Sequence, residues 1–437
     1  MPEILDILAK HNFWTEPPRD LGVPRLLYMS RLQPFMGNRL VKVLVGQRRA
    51  GKSYLLRQCI ASLLKQGVNP RQILYLNKES IDFADIANHR QLHDLVRTYR
   101  QRMKVKGKVY LVLDEVQEID GWERVVNAYA QDLHVEYEII VTGSNSTMLS
   151  SELGTHLSGR YVSLEVLPFS FAEFILAHGL KPDKTALLEY LQTGGLPELM
   201  NLAGEEPRRH YVMALRDSIL LNDVVRRHGV KDVALLEALF RFMCDSVGSL
   251  FSVNKIVKFM CSHGLRTNHE TVSNYAGHLC EALLAHACDR HDIRGKQILA
   301  GNRKYFVNDP AFRRYLSSGF DPGLARQLEN VVYLHFRRQG FQVYAGAGRD
   351  SEVDFVVERG DERAYYQVCY LLSDKTVIER EYRALERIRD NYPKAVLSLD
   401  DVSFGTRNGI GHFPVWQILA SESKAEMWKA ESKGRRS

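Results

Sequence analysis

The stretch GQRRAGKS, residues 46–53, combines the residue types and the spacing that can hold a chain of phosphates. Its two glycines let the backbone wrap closely around phosphate oxygens, so that the loop amides face the negative charge. We expect Lys52 to reach the β- and γ-phosphates and the Ser53 hydroxyl to ligate Mg²⁺. The predicted nucleotide contacts are Gly46, Gln47, Arg48, Arg49, Ala50, Gly51, Lys52, Ser53 and Tyr54. An apolar run at 41–45 and a helical pattern from Tyr54 argue against a chance match in a glycine-containing loop.

Two acids, Asp114 and Glu115, directly follow a second apolar run at 109–113. We expect Asp114 to hold Mg²⁺ through water and Glu115 to orient or deprotonate an attacking water. Two acids in this position can also cap a helix. The phosphate loop upstream favours the catalytic interpretation.

A third apolar run, 137–141, ends in polar residues that would lie beside the γ-phosphate, because ligands bind at the carboxyl ends of parallel strands. Ser144 or Asn145 is the candidate sensor of that phosphate, although a turn rich in capping residues also explains them. A further strand pattern covers 72–77. The alternation of strands with helical segments predicts an α/β fold with a doubly wound parallel sheet.

Composition narrows the class of protein. The 437 residues suggest several domains of roughly 100–200 residues each, and the net charge of +7 permits but does not prove contact with nucleic acid. No apolar run reaches the roughly 18 residues of a membrane helix. The six cysteines form no CxxC pair, which indicates reduced thiols in a cytoplasmic protein. The pairs Cys261/His263 and His286/Cys288 match no zinc template.

Four motifs together resemble a large family of prokaryotic AAA-type ATPases of the AAA+ superfamily. They are GQRRAGKS, LVLDEVQEIDGWE, the stretch 141–174 and GGLPE at 194–198. Members of the family carry a C-terminal domain of unknown function that is distantly similar to restriction endonucleases. The resemblance implies ATP as the nucleotide and a homo-oligomer such as a ring. It also makes Arg160 a candidate arginine finger or sensor; a plain surface arginine is the alternative.

The resemblance and the helical patterns together divide the chain into four segments. These are a P-loop ATPase core (1–170), a helical lid (171–243), a winged-helix domain (244–316) and a restriction-endonuclease-like α/β domain (317–437). The winged helix predicts contact with double-stranded DNA. Protein contact or internal packing is the alternative. The candidate DNA contacts from the wing are Arg294, Lys296, Arg303 and Lys304.

The last segment is expected to be a degenerate nuclease. The residues that match the metal site of such nucleases are Glu329, Asp354 and Gln367, followed by Cys369. Gln367 replaces a carboxylate, and Cys369 replaces the lysine that activates water, a charge that a neutral thiol cannot supply. Lys375 lies close by in the sequence and could substitute for the missing lysine.

These observations predict a Mg²⁺-dependent ATPase that couples hydrolysis to DNA binding or remodelling. One alternative is a slow, nucleotide-gated signalling or scaffolding switch. An ATP-regulated nuclease is the third hypothesis, and the Gln-Val-Cys triplet at 367–369 argues against it.

Overall fold

A computed structural model of the chain describes residues 3–144, 146–149, 157, 159–295, 297–317, 323–348 and 352–421. The chain divides into two compact units, Met1–Val166 and Leu167–Ser437. Among the residues that the structure describes, no helix combines the length and the apolar character needed to cross a membrane.

The first unit is built on five parallel strands. They are β1 (Val41–Val45), β2 (Ile73–Asn77), β3 (Val109–Asp114), β4 (Tyr137–Gly143) and β5 (Tyr161–Glu165), and their order in the sheet is β2-β3-β4-β1-β5. The helices of this unit are α1 (Glu3–His11), α2 (Leu26–Leu32), α3 (Lys52–Lys65), α4 (His89–Met103) and α5 (Trp122–Ala130). Every residue of β1 and β4 is buried, as expected for strands covered on both faces. The predicted α/β fold with a parallel sheet is confirmed.

Strand β2 lies at the edge of this sheet, and the N-terminal segment covers it. The backbone amide of Tyr75 donates to Asn12 Oδ1 at 2.6 Å, and Asn12 Nδ2 donates to the Tyr75 carbonyl at 3.0 Å. Trp14 Nε1 donates to the Ile73 carbonyl at 2.8 Å. These bonds satisfy backbone groups that an edge strand would otherwise leave open to another chain.

The second unit begins with helices and continues into a nine-stranded mixed sheet. Its first helices are α6 (Phe171–His178), α7 (Lys184–Thr193), α8 (Glu205–Ile219), α9 (Arg226–His228) and α10 (Val233–Asp245), with a π-helical turn at Leu220–Val225 between α8 and α9. The later helices are α11 (Val253–Ser262), α12 (His269–Glu281), α13 (Pro310–Leu316), α14 (Leu324–Arg338), α15 (Lys375–Glu386) and α16 (Val415–Ala420).

The strands of the second unit join two predicted domains. They are β6 (Leu250–Phe251), β7 (Ala285–Asp292), β8 (Gln297–Val307), β9 (Gln342–Ala347), β10 (Glu352–Arg359), β11 (Glu362–Val368), β12 (Lys394–Ser398), β13 (Thr406–Arg407) and β14 (Ile410–Pro414). Their order is β13-β14-β12-β11-β10-β9-β7-β8-β6. Strand β7 pairs in parallel with β9, with Arg290 opposite Ala345. The strands of the segments 244–316 and 317–437 therefore form one continuous sheet.

Candidate active site

The phosphate loop connects the end of β1 to the start of α3. Arg49 and Gly51 adopt left-handed backbone conformations, with φ of 66° and 93°. The Gly46 amide donates to the Gly143 carbonyl at 3.1 Å, which fixes the loop to the neighbouring strand β4. A Cβ atom at Gly46 would lie 2.2 Å from the Val166 carbonyl oxygen. Packing therefore requires glycine at this position, in addition to its expected role beside phosphate.

The buried side chain of Arg25 stabilises the phosphate loop through a hydrogen bond. Arg25 Nη1 donates to the Ala50 carbonyl at 2.9 Å, and the Arg25 amide donates to Gln58 Oε1 at 2.9 Å. The Arg25 side chain is almost fully buried and lies over the Tyr28 ring. Arg25 was not among the predicted site residues, because nothing in the sequence around it indicates contact with a loop 25 residues later.

Lys52 points back into its own loop. Its Nζ donates to the Gly46 carbonyl at 2.9 Å and to the Gln47 carbonyl at 3.2 Å. The same atom lies 2.9 Å from Glu115 Oε1, and both side chains are buried. The predicted phosphate-binding lysine and the predicted catalytic glutamate are thus brought together as a buried ion pair.

Asp114 and Glu115 end strand β3 and meet Thr142 at the end of β4. The Thr142 hydroxyl donates to Asp114 Oδ1 and accepts from the Glu115 amide at 2.9 Å, and the Tyr75 hydroxyl donates to Asp114 Oδ2 at 3.1 Å. Glu115 has a left-handed backbone, with φ of 57°. This backbone turn directs its side chain to Lys52 while Asp114 remains fixed by its hydrogen bonds.

The pKa values of the two carboxyls shift in opposite directions. Burial raises the pKa of Asp114, against hydrogen bonds from Thr142 and Ser53 that favour the anion. Burial also opposes the ionisation of Glu115, but the Lys52 ammonium and the Gln117 amide outweigh it and hold the pKa of Glu115 below its usual range. In the absence of nucleotide, Glu115 is therefore the anion of this ion pair.

Gln117 links Glu115 to the sensor candidate Ser144. Its Nε2 donates to Glu115 Oε2 at 2.6 Å and to Ser144 Oγ at 3.2 Å. Ser144 is buried at the end of β4, where the sequence placed it, and Asn145 lies outside the described residues. Gln117 was not among the predicted site residues, although its position two residues after Glu115 was the available signal.

The remaining predicted loop residues point in different directions. Gln47 is buried, and Arg48 lies 3.4 Å from Glu79 Oε1 and 3.7 Å from Glu118 Oε1. Tyr54 is partly exposed, and its hydroxyl donates to Asp20 Oδ2 at 2.9 Å. The segment before β1 therefore approaches the start of α3 beside the loop.

Arg160 lies at the other edge of the same sheet. Its carbonyl accepts from the Val41 amide at 2.9 Å, its side chain is exposed, and it immediately precedes β5, which runs parallel to β1. The phosphate loop follows the far end of β1, five strand residues away, which is roughly 16 Å. Arg160 is therefore far from the phosphate loop of its own chain, and the exposed side chain agrees with a plain surface arginine as well as with a role at another nucleotide.

The C-terminal acids form a second cluster, in the second unit. Glu329 of α14 and Asp354 of β10 line a cleft of ≈ 750 Å³ together with Glu352 and Gln367. The Asp354 Oδ2 accepts from the Val368 amide at 2.8 Å. The Cys369 thiol is buried, and burial raises its pKa. This residue therefore supplies neither positive charge nor a reactive thiolate to the cleft.

Lys304 occupies the centre of this cluster, which corrects its expected place on an exposed wing. Its buried Nζ lies 2.5 Å from Glu352 Oε1, 3.6 Å from Glu329 Oε2 and 3.9 Å from Asp354 Oδ1. Lys375, by contrast, is exposed at the start of α15. The sequence did not indicate that a lysine of strand β8 lies among these acids.

Two of the other wing candidates lie in the β7–β8 hairpin, Arg294 in the turn that joins the two strands and Arg303 within strand β8. Arg294 is exposed in that turn, and Lys296 lies outside the described residues. Arg303 is half exposed and its Nε lies 2.7 Å from Asp289 Oδ1. Two of the four predicted DNA contacts are therefore presented to solvent.

Comparison with known proteins identifies a family and a domain type for this chain. Residues 38–175 match a model described as an AAA domain, and residues 184–323 match a domain of unknown function, DUF8612. An uncharacterized protein of Haemophilus influenzae is 35% identical over 382 residues, which cover 86% of this chain and 93% of that protein. The chain belongs to the family of that protein. Its residues 38–175 are an AAA-type P-loop ATPase domain.

A second relative is more distant. An uncharacterized protein of Methanocaldococcus jannaschii is 29% identical over 379 residues, which cover 83% of this chain and 80% of that protein.

The match to the domain of unknown function, residues 184–323, covers most of the predicted lid and winged-helix segments of this chain. It includes only the first few residues of the last segment. The nuclease-like character of 317–437 therefore stays a prediction.

Solved structures resemble the chain only loosely. A Walker-type ATPase of Pyrococcus abyssi has a TM-score of 0.47 at 15% identity, covering 70% of this chain and 99% of that chain. DnaA of Aquifex aeolicus bound to AMPPCP has a TM-score of 0.29 at 17% identity, covering 59% and 88%. Neither score supports a conclusion about function. The assignment of the AAA-type ATPase domain rests on the family model and on the loop geometry.

Proposed function

We propose that this chain is a Mg²⁺-dependent ATPase that couples hydrolysis to the binding or remodelling of DNA. The observation that carries the proposal is the convergence of Lys52, Asp114 and Glu115 at the carboxyl edge of the parallel sheet. This edge is where ligands of such sheets bind. A buried ammonium, two buried carboxylates and a glycine loop are the parts that phosphoryl transfer to water requires.

The residues at this edge fit the nucleotide and its metal ion. The Ser53 hydroxyl favours the Asp114 anion, and the two side chains offer hydroxyl and carboxylate oxygens, the donors that Mg²⁺ prefers. When bound, Mg²⁺ neutralises charge on the phosphate oxygens. The backbone amides between Gly46 and Ser53 and the start of α3 supply further positive potential.

Exchange of partners at Lys52 is the step that starts the reaction. A terminal phosphate attracts the Lys52 ammonium away from Glu115 Oε1, which is 2.9 Å away in the nucleotide-free chain. Glu115 then accepts a proton from the attacking water, whose oxygen bonds to the γ-phosphorus as the bond to the ADP oxygen breaks. Gln117 keeps the other Glu115 oxygen in place.

The same ion pair favours a second candidate function, the slow nucleotide-gated switch. Breaking a buried Lys52–Glu115 pair in each cycle opposes rapid turnover, because each charge must find a new partner in a site with little water. A chain that binds ATP tightly and hydrolyses it slowly would use the nucleotide as a signal. The turnover number separates the two functions.

DNA is proposed as the partner on the basis of the second unit. Helices α11 and α12 are followed by the β7–β8 hairpin, the order of elements in a winged helix. Arg294 is exposed in the hairpin turn and Arg303 is exposed within strand β8, and both can contact phosphates. The net charge of +7 agrees with a polyanionic partner.

ATP turnover with and without double-stranded DNA tests the proposed function. We expect DNA to stimulate turnover, and we expect Arg294→Ala combined with Arg303→Ala to reduce the stimulation and to lower the salt dependence of DNA binding. Lys181→Ala, which removes an exposed lysine between α6 and α7, is the control. ATP turnover that does not change when DNA is added would contradict the proposed coupling to DNA. Nucleotide binding with negligible turnover would favour the nucleotide-gated switch.

Arg160→Ala is expected to leave ATP binding intact and to reduce turnover about a thousand-fold if subunits share their sites. The reason is its position, roughly 16 Å from the loop of its own chain. We therefore propose a homo-oligomer, such as a ring, in which Arg160 reaches the neighbouring subunit's nucleotide. Arg39→Ala is the matched control, since Arg39 is an exposed arginine just before β1, at the same edge of the sheet.

A mixing experiment distinguishes this role from a simple loss of folding. Subunits with Arg160→Ala keep an intact phosphate loop, and subunits with Lys52→Ala keep an intact Arg160. Mixed oligomers should therefore regain turnover that neither variant shows alone. If both variants fold and assemble but the mixed oligomers do not regain ATP turnover, a site shared between subunits is excluded.

A further inference from the structure

Three residues far apart in the sequence meet in the second unit: His228 at the end of α9, and His278 and Glu281 of α12. One side-chain atom from each of the three lies within 4.8 Å of the others. His228 Nε2 lies 3.2 Å from Glu281 Oε2, and the His228 and His278 rings stack with centroids 3.8 Å apart. None of these residues takes part in the proposed reaction with ATP.

Local structure explains how the cluster forms. His278 and Glu281 are three residues apart on α12, so both side chains lie on one face of that helix. His228 is delivered by the short helix α9, which follows the π-helical turn Leu220–Val225 and ends at Gly229, whose φ is 61°. Turns of the π type inside helices are often found at functional sites.

The cluster contains buried imidazole nitrogens that are able to ligate a metal ion. Within the described part of the chain, His278 Nδ1 is buried and has no hydrogen-bond partner. His228 Nε2 is buried as well and lies 3.2 Å from Glu281 Oε2, but the two atoms do not meet in hydrogen-bond geometry. An imidazole nitrogen can ligate a metal ion through its lone pair. A buried polar nitrogen without a partner is costly, and a metal ion would satisfy it.

We propose that His228, His278 and Glu281 form a Zn²⁺-binding site that joins α9 to α12. Two imidazole nitrogens and one carboxylate oxygen are a ligand set that Zn²⁺ accepts, with a fourth position left to water. The Glu281 side chain is 39% exposed, so an ion can enter from solvent. The site connects the predicted lid, which contains α9, to the second helix of the predicted winged helix.

Binding requires a small rearrangement. The two rings are inclined by only 15°, whereas a metal ion lies near the plane of each imidazole that ligates it. One ring must therefore turn out of the stack when Zn²⁺ enters.

Zinc titration of the metal-stripped, full-length, nucleotide-free chain tests the site. The competitor is a chromophoric chelator, and millimolar Mg²⁺ is present to occupy oxygen-rich sites. We expect one Zn²⁺ per chain and a higher Tm in its presence. His278→Ala and Glu281→Gln should each weaken binding at least about ten-fold and lose the rise in Tm. His263→Ala, which removes an exposed histidine beside Cys261, should bind as the wild type does.

Two results would overturn the proposal: no stoichiometric Zn²⁺ on the wild-type chain, or unchanged affinity in Glu281→Gln. The Tm of each variant without metal shows whether it folds. Glu281→Gln decides the question if His278→Ala does not fold, because it keeps the size of the side chain and removes only the charge. The test uses no ATP, so its outcome is independent of the proposed ATPase.

Discussion

Lys52→Ala is expected to lower kcat/KM for ATP at least about a hundred-fold, because it removes the buried ammonium that meets charge developing on the γ-phosphate. The structure adds a second expected effect. Without nucleotide, Lys52 is the counter-ion of Glu115, and both side chains are buried. Its loss leaves a buried carboxylate without its counter-ion, which should cost about 3–5 kcal/mol of unfolding free energy.

Turnover assays and thermal unfolding of the same samples separate these two effects. Lys65→Ala is the control, since Lys65 is exposed in the last turn of the same helix, α3, and should change neither quantity. At lower pH, protonation of Glu115 should narrow the difference in Tm between Lys52→Ala and the wild type. Normal turnover in folded Lys52→Ala would contradict the assigned role of the loop.

Lys304→Met is expected to destabilise the chain by about 3–5 kcal/mol, the usual cost of leaving buried charges without their partner. Three carboxylates surround the Lys304 ammonium, at 2.5, 3.6 and 3.9 Å. Methionine fills similar space without charge, so the loss measures electrostatics rather than packing. Arg303→Met is the control: it removes the neighbouring residue's half-exposed pair with Asp289, worth less than about 1 kcal/mol.

The effect of Lys304→Met should depend on pH. Burial raises the pKa of Glu329 to about 8 and that of Asp354 to about 6 even with Lys304 present. The folded chain therefore holds protons that the unfolded chain releases near pH 4, and stability falls as pH rises toward 8. Without Lys304, folding stability should fall more steeply as pH rises. The destabilisation caused by Lys304→Met should therefore be larger at pH 8 than at pH 5.5. Thermal unfolding of the wild type and of Lys304→Met at the two pH values measures this difference. An equal decrease in Tm at both would show that the acids around Lys304 are not ionised.

The sequence was sufficient for the parts of the first site that lie directly after a strand. Lys52, Ser53, Asp114 and Glu115 each follow an apolar run, and parallel strands bring their ends to one edge of the sheet. Local pattern and elementary sheet geometry therefore predicted both the fold of this unit and the residues that meet. Thr142 follows the apolar run 137–141, but its bridge between the two acids depends on the pairing of β3 with β4.

Non-local pairing accounts for what the sequence did not predict. Lys304 was assigned to an exposed wing, but the parallel pairing of β7 with β9 places β8 beside the acids of β10 and α14. Arg25 and the cluster around His278 likewise depend on contacts between elements far apart in the chain. The register of β1 against β5 likewise places Arg160 at the end of β1 far from the phosphate loop. No local periodicity records such contacts.

The nucleotide that remains bound after incubation with Mg²⁺ and ATP tests the central claim most directly. Glu115→Gln keeps the shape of the side chain but cannot accept a proton from water, so it should bind ATP and fail to cleave it. Nucleotide extracted from the wild-type chain should be ADP, and that from Glu115→Gln should be intact ATP. ADP formed at the same rate on both chains, or no nucleotide on either, would contradict the assignment of this site as an ATPase.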